Sequence, residues 1–152
     1  MKSPISLKGD ANHLHYAGQQ LWNIASYLYS GDTLLHHGYS YYTGHVSCCQ
    51  WARGNGWAVL AFTEFLSCAQ DLGVEDQGVQ EIRHLYIHHM RQLLLTQSAS
   101  SGLWHNIVNK NQTFLETSSS AMFLTGISII LLFINKAFYC CFAQQAAECV
   151  PN

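Results

Sequence analysis

The sequence predicts an all-α fold, and two observations carry that expectation. Apolar residues recur at intervals of three and four over long stretches, and those stretches begin or end at residues suited to helix termini. A first helix is expected over residues 11–29, where Leu14, Ala17, Leu21, Ala25 and Leu28 lie at helical spacing and Gly31 follows as a stop. A long loop then runs over 31–50. Its Leu34 and Leu35, followed by Gly38, Tyr39, Tyr41, Tyr42 and Gly44, suit a short hairpin that periodicity alone does not fix. A second helix begins within residues 51–57, with Trp57, Leu60, Ala61, Phe65, Cys68 and Leu72 as its expected buried face and Gly73 as its end. Asp76 is placed to cap a third helix whose inner stripe is Val79, Ile82, Tyr86, Met90, Leu93 and Leu94. The short 73–76 turn makes these two an αα-hairpin. After a polar turn at 97–102, residues 103–108 read as a short extended segment, and Thr117 or Ser118 is expected to cap a fourth helix from near Ser119.

Composition narrows the class. At 152 residues the chain makes at most one ordinary domain. Its 11% charged residues fall well below the roughly one quarter usual in soluble domains, as expected of a chain whose surfaces face further helices. The net charge of −2, with no basic stripe, excludes nucleic acid as a partner, because phosphate binding needs clustered Lys and Arg. Six cysteines include the adjacent pairs Cys48-Cys49 and Cys140-Cys141, but no C-x-x-C, so they read as small buried or half-exposed thiols rather than a zinc knuckle or thioredoxin-type site. The sequon at Asn111 would matter only in a secreted chain, and the first residues, MKSPISLKGD, contain no apolar stretch of a signal peptide. Residues 121–134 form an apolar run shorter than the about 20 residues that span a bilayer, and Asn135 and Lys136 interrupt it. A buried helix is the expectation there, and a membrane segment over 121–143 is disfavoured.

The heptapeptide WARGNGW at 51–57 is hard to explain by packing alone. Two indoles flank an arginine beside glycines that allow close backbone approach. A guanidinium between aromatic faces offers a bidentate fork to the carboxylate of a sugar ring while an indole covers the ring's apolar face. The same residues also suit a helix start with two core tryptophans and a surface arginine.

Three further segments accompany it: LLHHG at 34–38, GLWHNIV at 102–108 and ETSSSAMF at 116–123. In order and separation these resemble the unsaturated uronyl hydrolases of glycoside hydrolase families 88 and 105, among them the unsaturated rhamnogalacturonyl hydrolases, which carry an LF-x-HG turn, then W-x-RGNGW, GLW-x-QV and E-[ST]-S-x-SAMF. The resemblance covers Gly9 to about Phe123 and is not seen from Leu124 onward. It implies a fragment of an (α/α)6 toroid, the six-hairpin glycosidase architecture, with about four helices present. The organisation expected is a partial domain over 1–123 and a divergent apolar tail over 124–152, with self-association through open faces.

The resemblance also implies the chemistry. Such enzymes remove a 4,5-unsaturated uronyl residue from oligosaccharides, including rhamnogalacturonan-derived ones, by hydrating its double bond. An aspartate protonates C4 and serves as base toward the water that adds at C5, with no metal or organic cofactor, unlike the paired carboxylates of ordinary glycosidases. In the family pattern that aspartate stands about 45 residues ahead of the histidine of the HG turn, which falls upstream of Met1. A second acidic position lies earlier still. No catalytic residue is therefore expected within this chain. His37, Trp51 and Arg53 match family positions that contact the unsaturated uronate, and are the expected substrate-binding residues. Ser40 stands where several relatives have Asp or Asn, which removes a replacement acid there.

Other groups are assigned bland roles. Asp32 sits in a turn, where aspartate bonds local backbone. Glu116 precedes a helix and suits its dipole. His36 is expected to be structural or solvated. His84, His88 and His89 include an i, i+4 pair, but no Glu follows as in H-E-x-x-H, so they are expected on a solvated helix face and no metal site is expected. A non-catalytic carbohydrate binder or self-associating chain is the alternative from another class.

Overall fold

A computed structural model describes residues 11–29 and 34–133, with side chains up to residue 129. Among them are helices α1 (Ala11–Leu28), α2 (Ala52–Leu72), α3 (Gln77–Leu95) and α4 (Thr117–Phe133), and a two-stranded antiparallel hairpin of β1 (Tyr39–Ser40) and β2 (His45–Val46). The expected hairpin in the long loop is thus present. Gly31 and Asp32 lie outside the described residues, as do Cys140, Cys141 and Cys149.

Contacts between helices fix their directions. His15 near the start of α1 lies 3.3 Å from Asp76 at the start of α3, and Tyr29 just after α1 meets His89 late in α3, so the two run parallel. Packing of Met122 against Gly56 and of Gly126 against Val59 makes α4 run parallel to α2. The turn at 73–76 reverses α2 into α3, where Gly73 takes the left-handed conformation with φ 67° and closes α2. Two parallel pairs of opposite direction, α1 with α3 and α2 with α4, therefore form two layers. This is the layering of an α/α toroid, of which four helices are described.

The two layers explain which expectations on burial hold. Helix α3 buries Val79, Ile82, Tyr86, His89, Met90 and Leu93 and turns its other side to solvent, so its stripe was legible. Asp76 caps it, accepting from the Val79 amide at 2.9 Å. In α1, Leu14 and Ala25 are buried, Leu21 and Leu28 half-buried, and Ala17 exposed. The expected inner face of α2 is corrected: Trp57, Ala61, Cys68 and Leu72 are exposed, Leu60 is half-buried and only Phe65 is buried. Helix α2 sits between the α1–α3 layer and α4, so its buried arc is wide. It takes in Ala52, Asn55, Gly56, Val59, Phe62, Thr63 and Leu66, including polar and small residues that an apolar stripe passes over. Residues 103–108 form isolated bridges, Trp51 with Ile107 and His105 with Leu115, rather than a strand.

Helix α4 carries no charged residue; among its described residues Thr117, Ser118, Ala121, Thr125 and Ser128 are exposed, and Leu124 stands exposed among them as a large apolar side chain. Trp22, Ile24 and Tyr27 are likewise exposed on α1. The chain in isolation is expected to self-associate through these faces; sedimentation velocity should show mass rising with concentration, and a single monomer boundary at every concentration would contradict this. No helix of the described residues is long and apolar enough to cross a membrane.

The α2–α4 contact depends on reciprocal glycines. A Cβ on Gly56 would stand 2.7 Å from Met122 Sδ, and one on Gly126 2.2 Å from Val59 Cγ1. In Gly126→Ala the gain in helix propensity, about 1 kcal/mol, is opposed by overpacking of about 1–3 kcal/mol. A net loss is expected, read as a lower urea midpoint with unchanged slope; a raised midpoint would mean that the two helices are not in this contact.

Candidate functional site

The four sequence motifs meet at the amino ends of α2 and α4. Asn55, in the first turn of α2, organises the loop before it. Its side chain accepts from the Leu35 amide at 3.0 Å and donates to the carbonyls of Leu35 and Trp51, both at 2.9 Å. Being 1% exposed, it meets its hydrogen-bonding capacity in these bonds, which pin LLHHG onto WARGNGW. Gln50 donates to the Leu34 carbonyl, and the His36 ring bonds the Ser47 carbonyl at 2.6 Å, so His36 is structural as expected.

This pinning presents His37 to Trp51. The His37 ring stands edge-on to the Trp51 indole, with centroids 4.7 Å apart. A Cβ on Gly54 would lie 3.3 Å from His37 Nδ1, so glycine there leaves room for the imidazole. Trp51 is held from the other side by GLWHNIV: its indole N–H donates to Asn106 Oδ1 at 3.1 Å, and the Ala52 amide donates to the Asn106 carbonyl at 2.8 Å.

Arg53 lies over the same indole, its guanidinium carbon 4.5 Å from the ring centroid. Its Nη1 donates to Glu116 Oε1 at 3.3 Å. The expected arrangement of arginine between two indoles is corrected, because Trp57 is 61% exposed and only Trp51 stacks on the guanidinium. His37 from one motif, and Trp51 and Arg53 from another, are nonetheless brought to one place.

Glu116 replaces the expected cap of α4. Neither Thr117 nor Ser118 caps that helix, which begins at Thr117; Glu116 Oε2 accepts from the Ser119 amide at 2.8 Å, and Oε1 accepts from the Ser118 hydroxyl at 2.5 Å. A carboxylate at this position meets the free amides and positive dipole end of the helix. Burial pushes the Glu116 carboxyl up, but the bonds from Ser118 and Ser119, with Arg53 alongside, outweigh it and hold the group below the usual carboxylate range. It is a committed anion that orients Arg53.

His89 is the other departure. His84 and His88 are exposed as expected, but His89 is fully buried, where Tyr29 just beyond α1 and Phe62 of α2 pack against it. Its Nδ1 bonds the Tyr29 hydroxyl at 2.7 Å, Nε2 has no partner among the described residues, and burial pushes its pKa down to about 3. The folded chain therefore excludes a proton that unfolded histidine takes up below its ordinary 6.5. Stability from this group is whole above pH 6.5 and is lost as pH falls toward 3, at up to about 1.4 kcal/mol per pH unit. Between pH 6.5 and about 5, where carboxylates remain ionised, the wild-type urea midpoint is expected to fall and that of His89→Gln to stay nearly level. Parallel decline of the two would contradict the assignment.

Among the described residues no cluster of His, Cys, Asp or Glu could hold a metal ion. A cavity of about 480 Å³ lies elsewhere, between α1 and α3, lined by His15, Tyr16, Trp22, Phe65, Asp76 and Ile82 among others, and no motif residue borders it. Ser40 lies exposed in β1. Sequence reasoning missed Asn55, Asn106 and the Arg53–Glu116 pair. The one available signal was an asparagine between two glycines at the start of an apolar helix, where an amide can serve non-helical backbone.

The profile of Glycosyl Hydrolase Family 88 matches residues 5–151, and so continues past residue 123. No curated protein matches the chain. Among solved structures, a glycoside hydrolase from family 105 of C. acetobutylicum ATCC 824 is similar, with a TM-score of 0.73 at 18% sequence identity over 86% of this chain. The chain spans 39% of that structure's length.

Proposed function

This chain belongs to Glycosyl Hydrolase Family 88, and from that premise we propose that His37, Trp51 and Arg53 receive the uronate ring of an unsaturated uronyl oligosaccharide. The observation that carries this reading is the meeting of His37 and Arg53, from different motifs, on the Trp51 indole. An indole suits the apolar face of a sugar ring, and the Arg53 side chain, 44% exposed, can offer the rest of its fork to a carboxylate while Nη1 stays on Glu116. In the whole enzyme the bound ring would be hydrated across its 4,5 double bond by a general acid, a part that this reading gives to none of His37, Trp51 and Arg53. Rhamnogalacturonan-derived oligosaccharides are the proposed substrates. The partial domain over 1–123 and the tail over 124–152 are likewise a proposed division; it falls inside α4.

The exposed faces of α1 and α4 favour a second reading, a non-catalytic chain that binds carbohydrate or its own copies. An acid-bearing upstream segment in the same transcript separates the two.

Titration with an unsaturated galacturonyl-rhamnose disaccharide, followed through the indole N–H resonances, tests the site. The Trp51 signal, assigned by its loss in Trp51→Phe, is expected to move saturably, while that of Trp104, buried and bonded to the Leu93 carbonyl, stays still. A Trp51 signal unmoved at saturation would overturn the proposal.

A further inference from the structure

The loop that carries His37 into the site also carries two adjacent thiols. Cys48 is exposed and Cys49 half-buried, and their sulfurs lie 2.9 Å apart, each able to share the other's hydrogen. The Cys49 carbonyl accepts the His37 amide at 3.3 Å, and Gln50 and Trp51 follow directly in the chain. From this juxtaposition we propose that Cys48 and Cys49 form a reversible dithiol–disulfide switch, oxidised by low-molecular-weight disulfides, that acts on the seating of His37.

The chemistry balances with such a disulfide as oxidant. The exposed Cys48, as thiolate, attacks one sulfur of glutathione disulfide; an S–S bond forms to Cys48, the old S–S bond breaks, and one glutathione leaves as thiolate. Cys49, deprotonated, then attacks the Cys48 sulfur and expels the second glutathione. Two electrons pass from the protein dithiol to glutathione disulfide, and the two thiol protons end on the two glutathiones released.

Geometry makes the second step fast and the product labile. With the sulfurs already in contact, ring closure competes well against a second glutathione. In the reduced pair the hydrogen shared with Cys48 is the chief cause that holds the Cys49 thiol above its usual range; it is gone once Cys48 is bonded to glutathione, and Lys110 nearby favours the thiolate that then attacks. Adjacent Cα atoms stand about 3.8 Å apart, closer than disulfides normally bridge, so the closed ring is strained and easily reduced. Closing it turns the Cys48–Cys49 peptide inside the ring, and the Cys49 carbonyl that accepts the His37 amide, attached to the ring at the Cys49 Cα, is placed to feel it.

The test uses the full chain equilibrated with glutathione and glutathione disulfide over a range of ratios, quenched by alkylation and mapped as peptides. As the ratio becomes oxidising, the peptide holding both Cys48 and Cys49 is expected to lose about 2 Da and both alkylation sites, without glutathione adducts, and to recover on return to excess glutathione. Amide exchange in the peptide containing His37 should quicken several-fold in the oxidised chain, and not in Cys48→Ser under the same oxidant. That serine keeps an exposed side chain of similar size at a position where Cys48 is exposed. Stable glutathione adducts on either cysteine, bridges to Cys68 or other cysteines, or a ring that leaves His37 exchange unchanged would each overturn the proposal.

Discussion

Mixed with an unsaturated galacturonyl-rhamnose disaccharide, the 152-residue chain is expected to leave the absorbance of the double bond unchanged. Protonation of C4 needs an acid holding a proton at working pH, and a positioned one contributes roughly 10²–10⁴-fold. Among the described residues Glu116 is the acid that pairs with Arg53 at the site, and it cannot take that part. Both of its oxygens accept hydrogen bonds, it caps α4, and its carboxyl is held below the usual range, so at neutral pH it has no proton to give. Loss of absorbance above a buffer blank would show that an acid within the chain does the work, and Glu116→Gln would then reveal whether Glu116 is that acid.

In Arg53→Lys, binding of the same disaccharide is expected to weaken by about ten- to hundredfold, the equivalent of one charge-assisted pair. A lysine ammonium keeps the charge opposite Glu116 but loses the planar fork and its stack on Trp51. The structure offers a rival role for Arg53, that of counter-ion to a buried carboxylate, and that role makes another forecast. Lysine would serve Glu116 nearly as well, stability would change by no more than about 0.5 kcal/mol, and affinity would be untouched. Measuring affinity and urea midpoint on one preparation separates them: weakened binding at an unchanged midpoint supports uronate recognition, and unchanged binding removes it.

What was legible in the sequence follows from how many sides of each element are covered. Helix α3 has one buried face and one wet face, so the period of its apolar residues named its stripe, and Asp76 marked its start. Helix α2 is covered on two sides, and its buried arc includes Asn55, Gly56 and Thr63, which no hydrophobic period selects. His89 read as one of three surface histidines because its burial is made by Tyr29 and Phe62, far away in sequence. The proposed site was legible through motifs rather than periodicity. LLHHG and WARGNGW named His37, Trp51 and Arg53, but not what holds them, because the bonds from Asn55 to Leu35 and from Arg53 to Glu116 cross 20 and 63 positions. Trp57 shows the opposite failure: an aromatic that suits a core or a stacking role equally well by type is 61% exposed on the outer side of its helix.

The central claim is that the Trp51 platform reads a carboxylate through Arg53. Isothermal titration of the wild-type chain with the unsaturated disaccharide and with its uronate methyl ester, at low salt and neutral pH, tests it most directly. The two ligands share the sugar rings and differ at the carboxyl group facing the guanidinium, where the ester lacks the charge and carries a methyl. The account predicts that the free acid binds about tenfold or more tightly than the ester, and that the difference vanishes in Arg53→Gln, which removes the positive charge. Equal affinities for acid and ester in the wild-type chain would contradict it.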